Sequence, residues 1–184
     1  MACTISLADI NYNCTDIGVG GITRISLANR DTLEAARNAA TPTITLNETT
    51  RVVTLAGQIS GAGDLSFNLK DGFSAFNEVK TVNADGTSTT VPTITVEFPK
   101  MTPTKVTELE TIATPGAELV ALIETAAGTY HLVGADYGLY ASTVDMSSGA
   151  ARGEKNRIQL TLTGEENGLA YSIADVADFE TMIG

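Results

Sequence analysis

The sequence predicts a mainly β domain, a β-sandwich or barrel-like antiparallel sheet, with one flanking α-helix, a long projecting hairpin and a short C-terminal helix. Short segments in which apolar and polar residues alternate recur along the chain, each bounded by glycine or small polar residues. Tryptophan is absent and aromatic residues make up 5%, so threonine, valine, isoleucine and alanine must fill the core. With 184 residues, 43% hydrophobic and 18% charged, the chain is expected to fold as one domain, 1–184.

The first third of the chain is expected to lead from an arm into short strands. Residues 1–21 are polar and interrupted by glycine, which predicts an extended N-terminal arm. A first strand is predicted at 22–27 and a turn at 29–31, and the composition of 32–40 favours one or two helical turns. Three further strands follow, with a hairpin turn at 47–50 between the first two: 43–46, 51–56 and 64–69.

Residues 73–98 predict a hairpin that projects from the domain. Its two arms flank Asn83-Ala-Asp-Gly86, one of the stronger hairpin-turn signals in the chain. The tip, 81–90, is almost wholly polar, so the ribbon is too long for a small sandwich. Pro92 lacks a backbone N–H, which predicts that the returning arm is locally an edge strand or carries a bulge.

Two helices are predicted, one before and one after the last group of strands. The first spans 102–113, where Thr102 can act as N-cap and Pro103 suits the first helical position. Its apolar stripe comprises Val106, Leu109 and either Ile112 or Ala113. The second begins after the candidate cap Asp175, with one apolar face formed by Val176, Phe179 and Ile183.

The segment 117–174 predicts an antiparallel meander of five strands. These strands are expected at 119–123, 129–133, 139–144, 157–163 and 169–173. In the fourth strand Ile158, Leu160 and Leu162 alternate with polar residues, so one face is expected to meet a core. The turn before the last strand is expected in 164–168. The predicted core positions are Phe98, Leu109, Leu119, Leu122, Leu132, Leu139, Ile158, Leu160, Leu162 and Phe179.

The charge balance, the apolar runs and the N-terminus together disfavour nucleic acid as a partner, a membrane span and secretion. The chain has 22 acidic residues against 11 lysines and arginines, a formal net charge of -11, which disfavours sequence-independent binding to nucleic-acid phosphates. It has no run of ~18 apolar residues for a membrane span. The N-terminus lacks the basic start and long apolar stretch of a signal peptide, so synthesis and residence in a cytosol are expected.

No residue cluster predicts catalysis, a metal or a cofactor. Cys3 and Cys14 lie near the N-terminus, far from the single histidine, His131, so free thiols are expected ahead of a disulfide, and a zinc site is expected least. His131 has no assigned acid or nucleophile, and a structural role is expected for it. We therefore predict that the protein is not an enzyme and uses no cofactor.

Several short motifs instead resemble a known family. They are Met1-Ala-Cys3 with Cys14, Gly20-Gly-Ile22, Tyr130-His-Leu-Val-Gly134, Gly138-Leu139, Gly149 with Gly153-Glu-Lys-Asn156, and Leu160-Thr-Leu-Thr-Gly-Glu-Glu166. Together they resemble the tail-tube or major tail proteins of tailed bacteriophages and related prophages. The resemblance covers both ends and the last third of the chain. Two positions depart from the pattern: His131 replaces a larger aromatic residue, and Arg157-Ile158 follows Asn156 where glycine is usual.

The resemblance implies a virion structural protein made in the host cytoplasm and located in the phage tail. Its subunits would self-assemble into stacked rings, expected to be hexameric, and contact other phage tail proteins. The tube would form a conduit through which DNA passes without specific binding. The alternatives are a capsid decoration or other virion connector protein, or a β-sandwich binding module, although the low aromatic content disfavours a carbohydrate-binding module.

Two sets of residues are candidates for two roles: lining the lumen of the tube and forming contacts between subunits. An acidic wall would not hold DNA phosphates, and the acids on or beside predicted strands are Asp64, Glu78, Glu97, Glu118, Glu124 and Asp145. The alternative is a uniformly acidic outer surface around an uncharged lumen. Contacts between subunits are expected from the arm and the hairpin, because an isolated ribbon is marginal in water and free strand edges pair readily. The candidates are Cys3, Ile5, Cys14, Phe76, Val82, Asp85 and Val91.

Overall fold

The structure, a computed structural model, describes residues 20–59, 67–68, 74–99, 102–149 and 156–184. The strands are β1 Ile22–Asn29, β2 Thr45–Asn47, β3 Val52–Leu55, β4 Phe67–Asn68, β5 Ala75–Val82, β6 Ser88–Pro99, β7 Leu119–Thr125, β8 Tyr130–Val133, β9 Leu139–Ser147, β10 Arg157–Gly164 and β11 Tyr171–Ile173. The helices are α1 Arg30–Asn38, α2 Pro103–Ile112 and α3 Val176–Ile183. The mainly β prediction is therefore confirmed. No helix in these ranges is long and apolar enough to cross a membrane.

All eleven strands belong to one mostly antiparallel sheet. Its order is β2-β3-β11-β8-β7-β9-β10-β6-β5, and β1 pairs with both β7 and β4. A single residue pair, Leu119 with Leu139, joins β7 to β9. This narrow connection divides the sheet into a four-stranded half, made of β9, β10, β6 and β5, and a β7 half, made of the remaining strands.

The two halves share one apolar core. In β10 the side chains of Ile158, Leu160 and Leu162 are fully buried, and they pack in one cluster with residues of β6, β1 and β7. Leu109 and Ile112 of α2 complete that cluster. The sheet therefore folds on itself like a sandwich, with the alternation of β10 directing its apolar face inward.

A second apolar cluster covers the opposite face of β7. Val120 and Leu122 of β7 pack with Leu33 of α1 and with Phe179 and Met182 of α3. Strand β7 is thus buried on both faces, which explains its uninterrupted apolar sequence LVALI. Nine of the ten predicted core positions are buried, and Leu119 is partly buried against the first cluster.

The five strands predicted in 117–174 are present, but the predicted meander is wrong. Strand β8 pairs with β7 and β11, and β11 pairs with β8 and β3 instead of returning along β10. The segment 165–170 does not form the predicted hairpin turn: it bonds to Thr90 of β6 and Glu78 of β5 on one side and to Arg51 on the other. The chain therefore crosses from the four-stranded half to the β7 half after β10.

The helices begin at side-chain caps. The turn predicted at 29–31 is wrong, because the Asn29 side chain accepts a hydrogen bond from the Asp31 backbone N–H at 2.9 Å and α1 begins at Arg30. The predicted caps Thr102 and Asp175 are confirmed for α2 and α3. One position of the predicted α3 face is wrong: Val176 is 51% exposed, and Met182 is buried in its place.

The predicted hairpin is formed by β5 and β6. The strands pair from Ala75 with Thr95 to Val82 with Ser88, and in the described part of the chain β5 pairs with no other strand. Strand β6 lies between β5 and β10, yet its ladder with β10 stops at Thr93, next to Pro92. It resumes in the same register through a bridge between Thr90 and Glu166. The edge predicted at Pro92 is therefore local, and no bulge interrupts the pairing with β5.

Replacing Leu162 with alanine tests the shared core. Leu162 is fully buried, so Leu162→Ala should lower the free energy of unfolding by ~2–5 kcal/mol through lost burial and a residual cavity. Leu169→Ala is the matched control because Leu169 is 49% exposed. Urea unfolding followed by circular dichroism measures both. Equal and small decreases in the free energy of unfolding for Leu162→Ala and Leu169→Ala would contradict this packing.

Candidate functional site

The four-stranded half has a polar face opposite its apolar core. Because side chains alternate along each strand, the core residues of β6 and β10 leave their sequence neighbours on the other side. The register forms cross-strand rows: Glu97, Gln159 and Asp145 stand side by side on β6, β10 and β9. We call this surface the polar face.

The polar face is rich in threonine and almost neutral. Its threonines are Thr81, Thr89, Thr93, Thr95, Thr143, Thr161 and Thr163. Its charged side chains in the described strands are Glu97, Asp145 and Arg157, and no lysine lies on it. Arg157 donates a hydrogen bond from Nη1 to Glu97 Oε2 at 2.8 Å. The positive charge on this face is thus neutralised within the subunit.

The six acids predicted for the channel wall are not gathered on one surface. Asp64 lies outside the described residues, and Glu97 and Asp145 lie on the polar face. Glu78 lies on the opposite face of β5, where burial raises the pKa of its carboxyl while the Ala170 backbone N–H donates to it. Glu118 forms an ion pair with Arg30 at 2.7 Å, and Glu124 stands opposite Arg24 in the β1–β7 ladder.

The residues predicted for subunit contacts also differ in their environments. Cys3, Ile5 and Cys14 lie outside the described residues. Val82 and Val91 are 71% and 39% exposed on the hairpin. Asp85, in the turn, accepts hydrogen bonds from the Thr87 hydroxyl and backbone N–H, which lower the pKa of its carboxyl. The ring of Phe76 packs against the first core cluster, with its centroid 6.0 Å from that of His131.

A buried polar network, which we call the Arg51 network, joins the two halves of the sheet. Arg51 follows the turn after β2 and has a positive φ of 53°. Its guanidinium donates to the backbone oxygens of Gly168, at 3.1 Å, and Leu169, and to Asp136 Oδ2 at 3.0 Å. It also lies over the ring of Tyr171, with Cζ 3.8 Å from the ring centroid. One side chain thereby fixes the β8–β9 and β10–β11 loops.

Two carboxyl groups of the network have opposite pKa shifts. Glu166 is 4% exposed, and burial together with the charge of Asp136 raises the pKa of its carboxyl to about 7. Its oxygens accept the backbone N–H groups of Asp136, at 3.0 Å, and Tyr137, at 3.4 Å. Burial would also raise the pKa of Asp136, but the hydrogen bond and charge of Arg51 outweigh it and lower that pKa. Burial and the charge of Asp136 raise the pKa of Tyr171 to about 12.

The chemistry of the network is structural. It contains no nucleophile beside a base, and no group of three potential metal ligands occurs among the described residues. An open cavity of about 350 Å³ lies beside it, with Glu48, Lys80 and Asn167 in its wall. Sequence reasoning missed Arg51 and Asp136 as partners because they are 85 residues apart and follow no spacing rule. The only hint was that Glu166 falls within a motif that carries the family resemblance.

The elevated pKa of Glu166 predicts a specific pH dependence of stability. An ordinary glutamate has a pKa of 4.5, so the folded protein binds this proton more tightly than the unfolded chain does. The resulting stabilisation is complete below pH 4.5 and is lost as the pH rises through about 7. Glu166→Gln should flatten the fall in melting temperature between pH 5 and pH 8, because glutamine does not ionise.

The neighbouring substitution Glu165→Gln provides the control. Glu165 is exposed, and replacing it changes the net charge by the same amount as Glu166→Gln does. The melting temperature of Glu165→Gln should vary with pH as that of the parent does. Differential scanning calorimetry across this pH range measures all three proteins. If the melting temperatures of Glu166→Gln and the parent fell equally between pH 5 and pH 8, the assignment of this titration to Glu166 would be contradicted.

Comparison with models of protein families, with curated proteins and with solved structures found no match to this chain. The family resemblance therefore depends on its short motifs. The structure places Tyr130–Gly134 in β8 and the loop that follows it, and Gly138-Leu139 at the start of β9. It places Leu160–Glu166 in β10 and at the Arg51 network. These three motifs thus lie near the junction between the two halves of the sheet, whereas Gly149 and Asn156 lie at the other end of the β9–β10 pair.

Proposed function

We propose that this protein is a subunit of a phage tail tube, in which copies close into rings and the rings stack into a conduit for DNA. The observation that carries this proposal is the four-stranded half: one face packs on the core, the other face is polar, and both lateral edges are open. A wall segment of a tube needs all three features. The motif resemblance adds the expectation of six copies in each ring.

The open edges supply a means of ring closure. Among the described residues, β5 pairs only with β6, and β9 beyond Leu139 pairs only with β10. Every neighbouring pair in this half is antiparallel, so β5 and β9 run in opposite directions. The β9 edge of one copy can therefore continue into the β5 edge of the next as another antiparallel pair. This contact is heterologous, and repeating it around an axis closes a ring.

The polar face then lines the conduit. Each free lysine or arginine on a wall would bind phosphate through counterion release, and a ring would repeat that contact around the bore. The described part of the polar face has no lysine, and its one arginine is paired with Glu97. In this proposal the wall releases DNA because free cations are absent. Glu97 and Asp145 are the two predicted lumen acids that fit it, in contrast to a wall made of all six.

Electron microscopy of the purified protein tests the proposal directly. Negative-stain images and sedimentation velocity should show rings, or tubes of uniform diameter, whose population increases with protein concentration. A decoration protein or a binding module has no need for two complementary open edges. A monodisperse monomer at every concentration would therefore contradict the tail-tube proposal and favour one of those alternatives.

Introducing lysine into the wall should slow DNA passage. Thr161 lies on the polar face of the central strand β10, so Thr161→Lys should place one unpaired cation per subunit in the bore. We expect virions with normal tails that eject DNA more slowly than the parent, most clearly at low salt. Ala35→Lys is the matched control: it adds the same charge, but on the exposed side of α1 and not on the polar face. Parental ejection rates for both variants would contradict the assignment of the polar face to the lumen.

A further inference from the structure

We propose that Asn167 is a site of self-modification: the backbone nitrogen of Gly168 attacks the Asn167 side-chain amide, which is lost as ammonia, and aspartate or isoaspartate remains beside the Arg51 network. Asn167-Gly168 is the only Asn-Gly pair in the sequence. It lies in the segment that crosses between the two halves of the sheet. The conversion takes place within one subunit, so it does not depend on the tail-tube proposal.

The Asn167 carboxamide is the electrophile, and two hydrogen bonds orient it. Asn167 is exposed in the wall of the open cavity. Its backbone N–H donates to Asp136 Oδ2 at 3.2 Å, and its Oδ1 accepts the Tyr137 hydroxyl at 3.1 Å. A donor fixed on Oδ1 stabilises the negative charge that develops on this oxygen when a nucleophile adds to Cγ. The fold thus activates the amide through Tyr137.

The nucleophile is the backbone nitrogen of Gly168. Its N–H donates to no acceptor among the described residues. A Cβ at this position would lie 3.2 Å from Nε and 3.3 Å from Cζ of Arg51, so glycine fits here without displacing the guanidinium. The absence of a side chain leaves the nitrogen sterically open. The adjacent guanidinium also favours loss of the amide proton, because it places a positive charge beside the developing anion.

The reaction needs only water and hydroxide. Hydroxide takes the Gly168 amide proton, and the nitrogen bonds to Asn167 Cγ while an electron pair moves onto Oδ1. As the carbonyl forms again, the Cγ–Nδ2 bond breaks and ammonia leaves with a proton from water, which gives a cyclic imide. Water then adds to one imide carbonyl and opens the ring to aspartate or isoaspartate. The sum is amide plus water to carboxylic acid plus ammonia.

The product adds negative charge to a junction that already holds Asp136 and Glu166. A further carboxylate nearby disfavours the ionised form of Glu166 and raises its pKa further. Arg51 is already paired with Asp136, so Lys80 is the one remaining cation in the described wall of the cavity. Isoaspartate also lengthens the main chain just before Gly168, which moves the Gly168 carbonyl oxygen that Arg51 binds. The conversion therefore loosens the crossing segment as the protein ages.

Peptide mapping by mass spectrometry tests the conversion in the full chain. Trypsin releases the peptides 158–184 and 81–100, and each contains one asparagine, Asn167 and Asn83 respectively. Asn83 is exposed and precedes alanine, so it is the internal control. During incubation of the folded protein at pH 8, Asn167 should become aspartate or isoaspartate much faster than Asn83.

The decisive comparison is between the folded protein and the same chain unfolded in urea. Only the folded protein holds Tyr137 and Arg51 at the site. Asn167 should therefore convert about tenfold faster in the folded protein, an effect equal to about two hydrogen bonds in the transition state. A rate in the folded protein that is equal to or below the rate in urea would overturn the proposal.

The hydroxyl of Tyr137 can be tested alone. Tyr137 is 57% exposed, so Tyr137→Phe should leave the fold intact. It should slow the conversion of Asn167 about fivefold, as expected for loss of one hydrogen bond. Tyr140→Phe is the matched control, because Tyr140 is 55% exposed and lies on the polar face, and it should keep the parental rate. Equal rates for the two variants would overturn the role of Tyr137.

Two substitutions at Asn167 test the consequence for stability. Asn167→Asp introduces the new charge, and Asn167→Gln keeps a neutral amide. At pH 8 the melting temperature of Asn167→Asp should be about 2–4 °C below that of Asn167→Gln. Adding Glu166→Gln to both should remove most of this difference, because one of the two neighbouring carboxylates is then absent. Equal melting temperatures for Asn167→Asp and Asn167→Gln would overturn the proposed loosening.

Discussion

The fold depends on one guanidinium. Arg51 binds the backbone oxygens of Gly168 and Leu169 and the carboxylate of Asp136, and so anchors the segment that leaves the four-stranded half. The crossing to β8 is also held by the burial of Tyr171 and Ile173 of β11 in the second apolar cluster. The side chains of Arg51 and Asp136 are 17% and 9% exposed, so loss of either partner is expected to destabilise this junction by leaving a partly buried charge unpaired. The strand order of the β7 half therefore depends on a polar contact as well as on apolar burial.

Glu166 extends that anchor to the hairpin. Its carboxyl holds the backbone of the β8–β9 loop, while its own backbone exchanges two hydrogen bonds with Thr90 of β6. The base of the hairpin is thus fixed by the same network that joins the two halves, and its distal part is left exposed. Burial raises the pKa of the Glu166 carboxyl to about 7, so its charged form is disfavoured relative to that of an ordinary glutamate.

The four-stranded half presents different chemistry on each of its surfaces. One face is apolar and buried, the other is polar and nearly neutral, the two edges are open, and the two ends carry an exposed valine and an apolar groove. In the proposed tube the two faces become core and lumen, and the two edges become the ring contacts. The Arg51 network lies between the two halves, beside an open cavity that has Arg51 and Asp136 in its wall. The excess negative charge of the chain is then carried mainly away from the lumen wall.

The sequence by itself determined where most of the described strands lie and, for β10, which side is buried, because these properties follow from local alternation. It predicted Ile158, Leu160 and Leu162 as core, the caps Thr102 and Asp175, and the hairpin around Asn83–Gly86, all of which depend on neighbours a few residues away. Only the tertiary structure decided that β11 pairs with β8, that Arg51 meets Asp136, and that the five described acids of the predicted channel wall occupy different surfaces. Those contacts join residues tens of positions apart, as with the 85 residues between Arg51 and Asp136. Their formation depends on how the whole sheet folds, and no short-range periodicity in the sequence predicts it.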